Sequence, residues 1–133
     1  MFKCIQKAVA VLILSVITFT LCNCTKERNN PPQGIFMSEK NFKGLESYKG
    51  DAYNIWFVEF KGDVCHFSRI AKFPSKTYPR EDKGTDRCFR DGNRIFFTEN
   101  PEGNPMFTII DENTLQAFQN NLIYHQVESY PEE

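Results

Sequence analysis

The chain has 133 residues, of which 41% are apolar, 25% charged and 14% aromatic, and its net charge at pH 7 is −1. That length holds one compact domain behind a leader but not two domains, and the near-neutral balance offers no electrostatic footprint for nucleic acid. Thirteen phenylalanines favour strands and a core built from rings.

Residues 1–7 contain two lysines, Lys3 and Lys7, and no acid, and residues 8–21 follow without a charge. The apolar run is shorter than the roughly 20 residues that cross a hydrocarbon core and fits the ~7–15-residue body of an export signal. It closes on Leu21-Cys22-Asn23-Cys24. This quartet resembles the lipobox of bacterial lipoproteins, in which Leu stands three residues ahead of an obligatory Cys. The resemblance implies cleavage after Asn23, transfer of a diacylglyceryl group to the Cys24 sulfur, and acylation of the new amino end. With Thr25 next in the chain rather than Asp, it also implies an outer-membrane address facing the periplasm in a Gram-negative host. Two or three acyl chains hold stably where one, at about 0.8 kcal/mol per buried CH₂, holds only marginally. The alternative is an ordinary cleaved signal ahead of a soluble periplasmic binding protein, although no Ala-x-Ala-like pair closes the run.

Removing residues 1–23 leaves 110 of the 133 residues, and losing Lys3 and Lys7 takes the charge from −1 to −3. The five cysteines become a pair, because Cys4 and Cys22 leave with the signal and the lipid consumes Cys24. In an oxidising compartment the remaining two are expected to form a Cys65 to Cys88 disulfide, restricting the unfolded chain by roughly 3.5 kcal/mol. The alternative is two buried free thiols.

Residues 24–33 then read as the lipidated Cys and a polar, flexible tether stiffened by Pro31 and Pro32. Residues 34–37 open a sheet, and residues 38–50 leave room for one short helical turn capped by Ser38. Residues 53–60 are the strongest strand, with Tyr53, Ile55 and Phe57 on one face and Trp56, Val58 and Phe60 on the other. Both faces are apolar, so this strand is central or is covered by another part of the chain. Lys61-Gly62-Asp63 turns it into residues 64–73, a hairpin partner. Residues 74–85, with Pro74, Pro79 and Gly84, read as a long irregular loop.

Short strands follow at 86–90, 94–98, 105–110, 114–118 and 122–127, separated by turns at Asp91-Gly92-Asn93, at 99–104, at Asp111-Glu112-Asn113 and at Gln119-Asn120-Asn121. Residues 128–133 read as a fraying tail. The expectation is one mainly β domain over 34–127, an antiparallel meander or a small curled barrel. The strand, turn, strand succession of residues 107–115 loosely resembles small lipocalin-like barrels found among bacterial lipoproteins. Fold likeness of this kind supplies no function.

No catalytic constellation stands out, and no cofactor or metal is expected. His66 and His125 fall on separate strands without Cys or carboxylate at metal-ligand spacing. No glycine-rich loop opens a helix, and no serine has the context of a nucleophile elbow. A pocket gathering either histidine with carboxylates would favour a small hydrolase.

Charge, by contrast, is segregated. Residues 69–94 hold eight basic side chains against four acids, whereas residues 99–133 hold seven acids and no Lys or Arg. Lys72, Lys76, Arg80, Lys83, Arg87 and Arg90 form a candidate surface for an anionic envelope component. The alternative is local neutralisation by facing acids. The acidic third could instead serve an inhibitor of a cationic envelope enzyme such as a lysozyme. The leading expectation is a non-catalytic binding or structural module, held to the membrane through its N-terminal lipid.

Overall fold

The computed structural model describes residues 2–5, 23–26 and 28–131, with side chains from residue 28 onward. Two short strands, β1 (Phe2–Ile5) and β2 (Asn23–Lys26), pair antiparallel with Cys4 opposite Cys24. The apolar body of the expected export signal, residues 8–21, lies outside the described residues. Among the described residues no helix is long and apolar enough to cross a membrane.

Eight further strands close into an antiparallel barrel. They are β3 (Gly34–Ser38), β4 (Tyr53–Lys61), β5 (Val64–Phe73), β6 (Lys76–Asp91), β7 (Arg94–Phe97), β8 (Phe107–Asp111), β9 (Thr114–Ala117) and β10 (Ile123–Val127). Each lies beside its neighbour in the chain, and β10 pairs back onto β3, which closes the barrel, while β6 meets β7 only over Cys88–Asp91 and over its earlier residues is paired on the β5 side. One end carries the tight β4–β5, β6–β7 and β8–β9 turns. The other carries the longer β3–β4, β7–β8 and β9–β10 connections.

The alternation of β4 sets inside from outside. Trp56, Val58 and Phe60 face inward, where Phe36, Phe60, Phe107 and Tyr124 form a ladder of edge-on rings with centroids 5.8, 6.3 and 5.1 Å apart. Such contacts add about 0.5–1.5 kcal/mol per pair beyond burial. The opposite face is covered as well. Phe57 is fully buried on the outside of the barrel, its ring 5.4 Å from that of Tyr130.

That contact corrects the fraying tail. Tyr130 donates its hydroxyl to Glu59 Oε1 at 2.8 Å and lies 3.6 Å beneath the Arg80 guanidinium, so the C-terminal segment is docked on β4. The expected tether is likewise fastened from Arg28 onward. Asn29 exchanges backbone hydrogen bonds of 3.0 and 2.7 Å with Arg90, and Arg28 sits 4.3 Å over the Phe89 ring. Gln33 accepts from Gly62 N–H at 2.6 Å, and its own carbonyl accepts from Gln126 at 2.8 Å. All these contacts are at the tight-turn end.

Of the expected loop only Pro74 and Ser75 form a turn, and residues 76–85 are strand. Proline in a ladder is tolerated only at an edge or a bulge, and β6 has two irregularities that absorb the breakers. The register skips between Arg69 and Ala71, opposite Pro79, and again between Phe67 and Ser68, where Gly84 takes φ 142°. The helical turn is also displaced. Ser38 caps nothing; its hydroxyl donates to Glu39 O at 2.7 Å and accepts from Trp56 N–H at 2.9 Å. The helical piece is a single 3₁₀ turn, Glu46–Tyr48.

The Cys65 to Cys88 disulfide is replaced by two buried free thiols. Both cysteines belong to the core, on neighbouring strands, but Cys65 is opposite Asp86 and Cys88 lies two residues further along β6. Such diagonal neighbours sit about 7–8 Å apart at Cα, beyond the roughly 4.4–6.8 Å a disulfide spans. The hydrogen-bonded Cys65 thiol and burial push the Cys88 thiol well above its ordinary range. With Cys4, Cys22 and Cys24 replaced by alanine, a thiol reagent should find no sulfhydryl in the native protein and two in denaturant without reductant. Finding none in denaturant would restore the covalent bridge.

Candidate functional site

The barrel is open at its long-loop end. A cavity of about 510 Å³ lies there, within the ~300–1,000 Å³ typical of small-ligand sites. Its floor is aromatic and continuous with the core, made by Trp56, Phe67, Phe97, Phe107 and Tyr124. These rings come from β4, β5, β7, β8 and β10; Phe97, Phe107 and Tyr124 sit at the strand ends that face the mouth, and Trp56 and Phe67 lie further in along their strands. Arg69 braces Trp56 from 5.6 Å. Burial pushes the Tyr124 phenol up, so it keeps its proton as a donor.

The rim is built from amides. Asn100 and Asn104 come from the β7–β8 connection, and Gln119 and Asn120 from the β9–β10 connection. Asn120 Oδ1 accepts from Leu122 N–H at 3.0 Å, which fixes the loop. Among the described residues, the side chains of Asn100, Asn104 and Gln119 make no hydrogen bond to protein. Gly103 gives Asn100 its place, because a Cβ there would stand 2.2 Å from the Asn100 amide nitrogen. Among the described residues, no Asp, Glu, Lys, Arg or His lines the cavity.

A second recess, about 440 Å³, lies on the outside of β4, β5 and β6 and gathers Glu59, His66, Asp82, Thr85 and Tyr130. His66 Nδ1 is 2.8 Å from Thr85 Oγ1 and its Nε2 is 3.0 Å from Asp82 Oδ1. Both ring nitrogens are therefore engaged. The Asp82 side chain is 73% exposed, so water competes for the carboxylate and the low-dielectric setting that powers such a relay is missing. The grouping works as a surface clasp across β5 and β6. Among the described residues no three His, Cys, Asp or Glu side chains are grouped to hold a metal ion.

The basic residues singled out from the sequence do not gather on one face. Arg90 makes a two-pronged pair with Glu112 at 3.0 and 2.8 Å, Arg87 meets Asp63 at 2.8 Å and Lys83 meets Glu81 at 3.1 Å. Arg80 donates to Ser68 at 3.0 Å and stacks on Tyr130. Lys76 lies 4.6 Å over the exposed Tyr78 ring, and Lys72 stands opposite Thr77. Exposed pairs of this kind contribute about 0–1 kcal/mol each. Beside Arg90, Glu112 is held below the usual carboxylate range, as is Glu81 beside Lys83. The acids of the C-terminal third are divided between the two ends, with Glu99 and Glu102 near the mouth and Asp111 and Glu112 at the tight-turn end. Cys24 falls in β2, four residues before the fastened Arg28.

The mouth was not legible from single motifs. Its rings belong to five strands, and its amides read as ordinary turn formers. The available signal was the repetition of one pattern, in which an aromatic strand end (Phe97, Phe118) runs into an amide-rich turn. No protein-family model, curated protein or solved structure matches this chain.

Proposed function

We propose that this chain is an exported, lipid-anchored module of the bacterial envelope that binds a small ligand in the mouth of its barrel without transforming it. The observation that carries this reading is the opposition of the two ends. Residues 28–33 are fastened at the tight-turn end, while the ring-floored cavity opens at the other. A lipid on Cys24 would hold the first end to the bilayer and turn the mouth outward. The lining supports binding rather than chemistry, since rings and amides supply shape and hydrogen bonds but no acid–base pair.

The test is fractionation of a bacterium expressing the full chain. Wild type should pellet with membranes, take up labelled palmitate and partition into detergent, and Cys24→Ala should take up no label and leave the detergent phase wherever its signal has been removed. Labelling of the variant equal to that of wild type would overturn the anchor.

A further inference from the structure

We infer that the barrel mouth is a saccharide site that takes an uncharged sugar ring, laid on Trp56 and held at its hydroxyls by the amide rim. The inference deepens the binding-module reading and rests on it. Three features of the cavity select this ligand class together. Among the described residues the lining holds no carboxylate, ammonium, guanidinium or imidazole, the groups that would offset the desolvation of an amine, a phosphate or a carboxylate. The unspent amides of Asn100, Asn104 and Gln119 supply both donors and acceptors at the rim, matching hydroxyl groups that each donate and accept. A fatty chain would leave those amides unsatisfied on closing over them, which costs affinity.

The floor supplies the other half. A pyranose presents C–H groups on its faces and hydroxyls round its edge, so it needs a flat apolar platform under a polar rim. Trp56 and Phe97 provide the platform, and the Tyr124 hydroxyl provides one more donor at depth. The volume of about 510 Å³ exceeds what a single water-filled defect requires and is open to solvent on one side, which suits the end of a glycan rather than a fully enclosed monomer.

Trp56 is the single tryptophan in the chain and so reports directly on occupancy. The experiment titrates the purified full-length chain in detergent with maltotetraose, cellotetraose and an N-acetylglucosamine tetramer while following tryptophan emission. A galacturonic acid tetramer and cis-parinaric acid serve as the anionic and apolar probes. At least one neutral sugar should give a saturable change, and Asn104→Ala with Gln119→Ala should weaken it roughly tenfold, the loss of one or two hydrogen bonds. Both positions are on surface loops, and unaltered unfolding of the double variant checks that it folds. Saturation by the anionic or apolar probe alone would overturn the sugar assignment while keeping a binding mouth. No saturable response to any probe would overturn both the sugar site and the ligand-binding reading, and the Cys24→Ala fractionation would still decide the anchor separately.

Discussion

Phe60→Ala should cost about 3–5 kcal/mol, a large share of the roughly 5–15 kcal/mol that holds a domain of this size. Phe60 is 1% exposed and lies between Phe36 on β3 and Phe107 on β8, so its ring joins walls that are far apart in the chain. Removing it deletes apolar burial, interrupts the ring ladder and leaves a void that eight hydrogen-bonded strands cannot close by collapse. Denaturant unfolding followed through Trp56 should show a much lower midpoint with little change in slope. Ile110→Ala, at a side chain 54% exposed, should stay within about 0.5 kcal/mol. Similar costs for the two would mean that the rings are not packed inside the barrel.

The second large effect is expected from Tyr130→Ala, at about 2–3 kcal/mol. That estimate combines the ring contact with Phe57 and the hydrogen bond to Glu59. Tyr130→Phe keeps the ring and should cost about 1 kcal/mol. The two variants also differ from wild type at high pH. Burial, with the Glu59 carboxylate beside it, pushes the Tyr130 phenol up to about 12, whereas an unfolded tyrosine titrates near ~10. The folded state therefore keeps its proton longer. This contribution is fully present below pH ~10 and is lost as pH rises toward about 12. Tyr130→Phe should show a diminished alkaline loss of stability; an unchanged profile would place the phenol outside the docked tail.

Architecture was largely legible because β4 announces itself. Six of the eight positions 53–60 are aromatic or β-branched, and two apolar faces demanded cover on both sides, which the barrel interior and Tyr130 provide. Closure was harder to read. A meander and a barrel share the same succession of hairpins, and the choice falls on whether β10 reaches β3, a pairing 86 to 92 residues apart in the chain that leaves no local signal. Residues 74–85 misled for a clear reason. Pro79 and Gly84 are strand breakers by propensity, but two bulges in β6 place them where a ladder hydrogen bond is already interrupted. The cysteines misled through register. Their proximity was correctly inferred from composition, but the two-residue offset that leaves the thiols hydrogen-bonded and not joined depends on pairing across β5 and β6. The basic run was misleading in a different way: a strand sends its side chains alternately to two faces, so a cationic stretch of sequence is divided, and Lys83, Arg87 and Arg90 are met by Glu81 on the same strand and by Asp63 and Glu112 from the tight turns.

The clasp of Arg28 and Asn29 onto Phe89 and Arg90 also governs reach. Were Cys24 embedded in lipid, four residues would separate it from the barrel, roughly 14 Å at full extension. That leash is short beside the ~40–45 Å depth of a bilayer with its headgroups. The barrel would ride on the headgroup layer like a moored buoy, sampling only molecules that come down to the membrane surface.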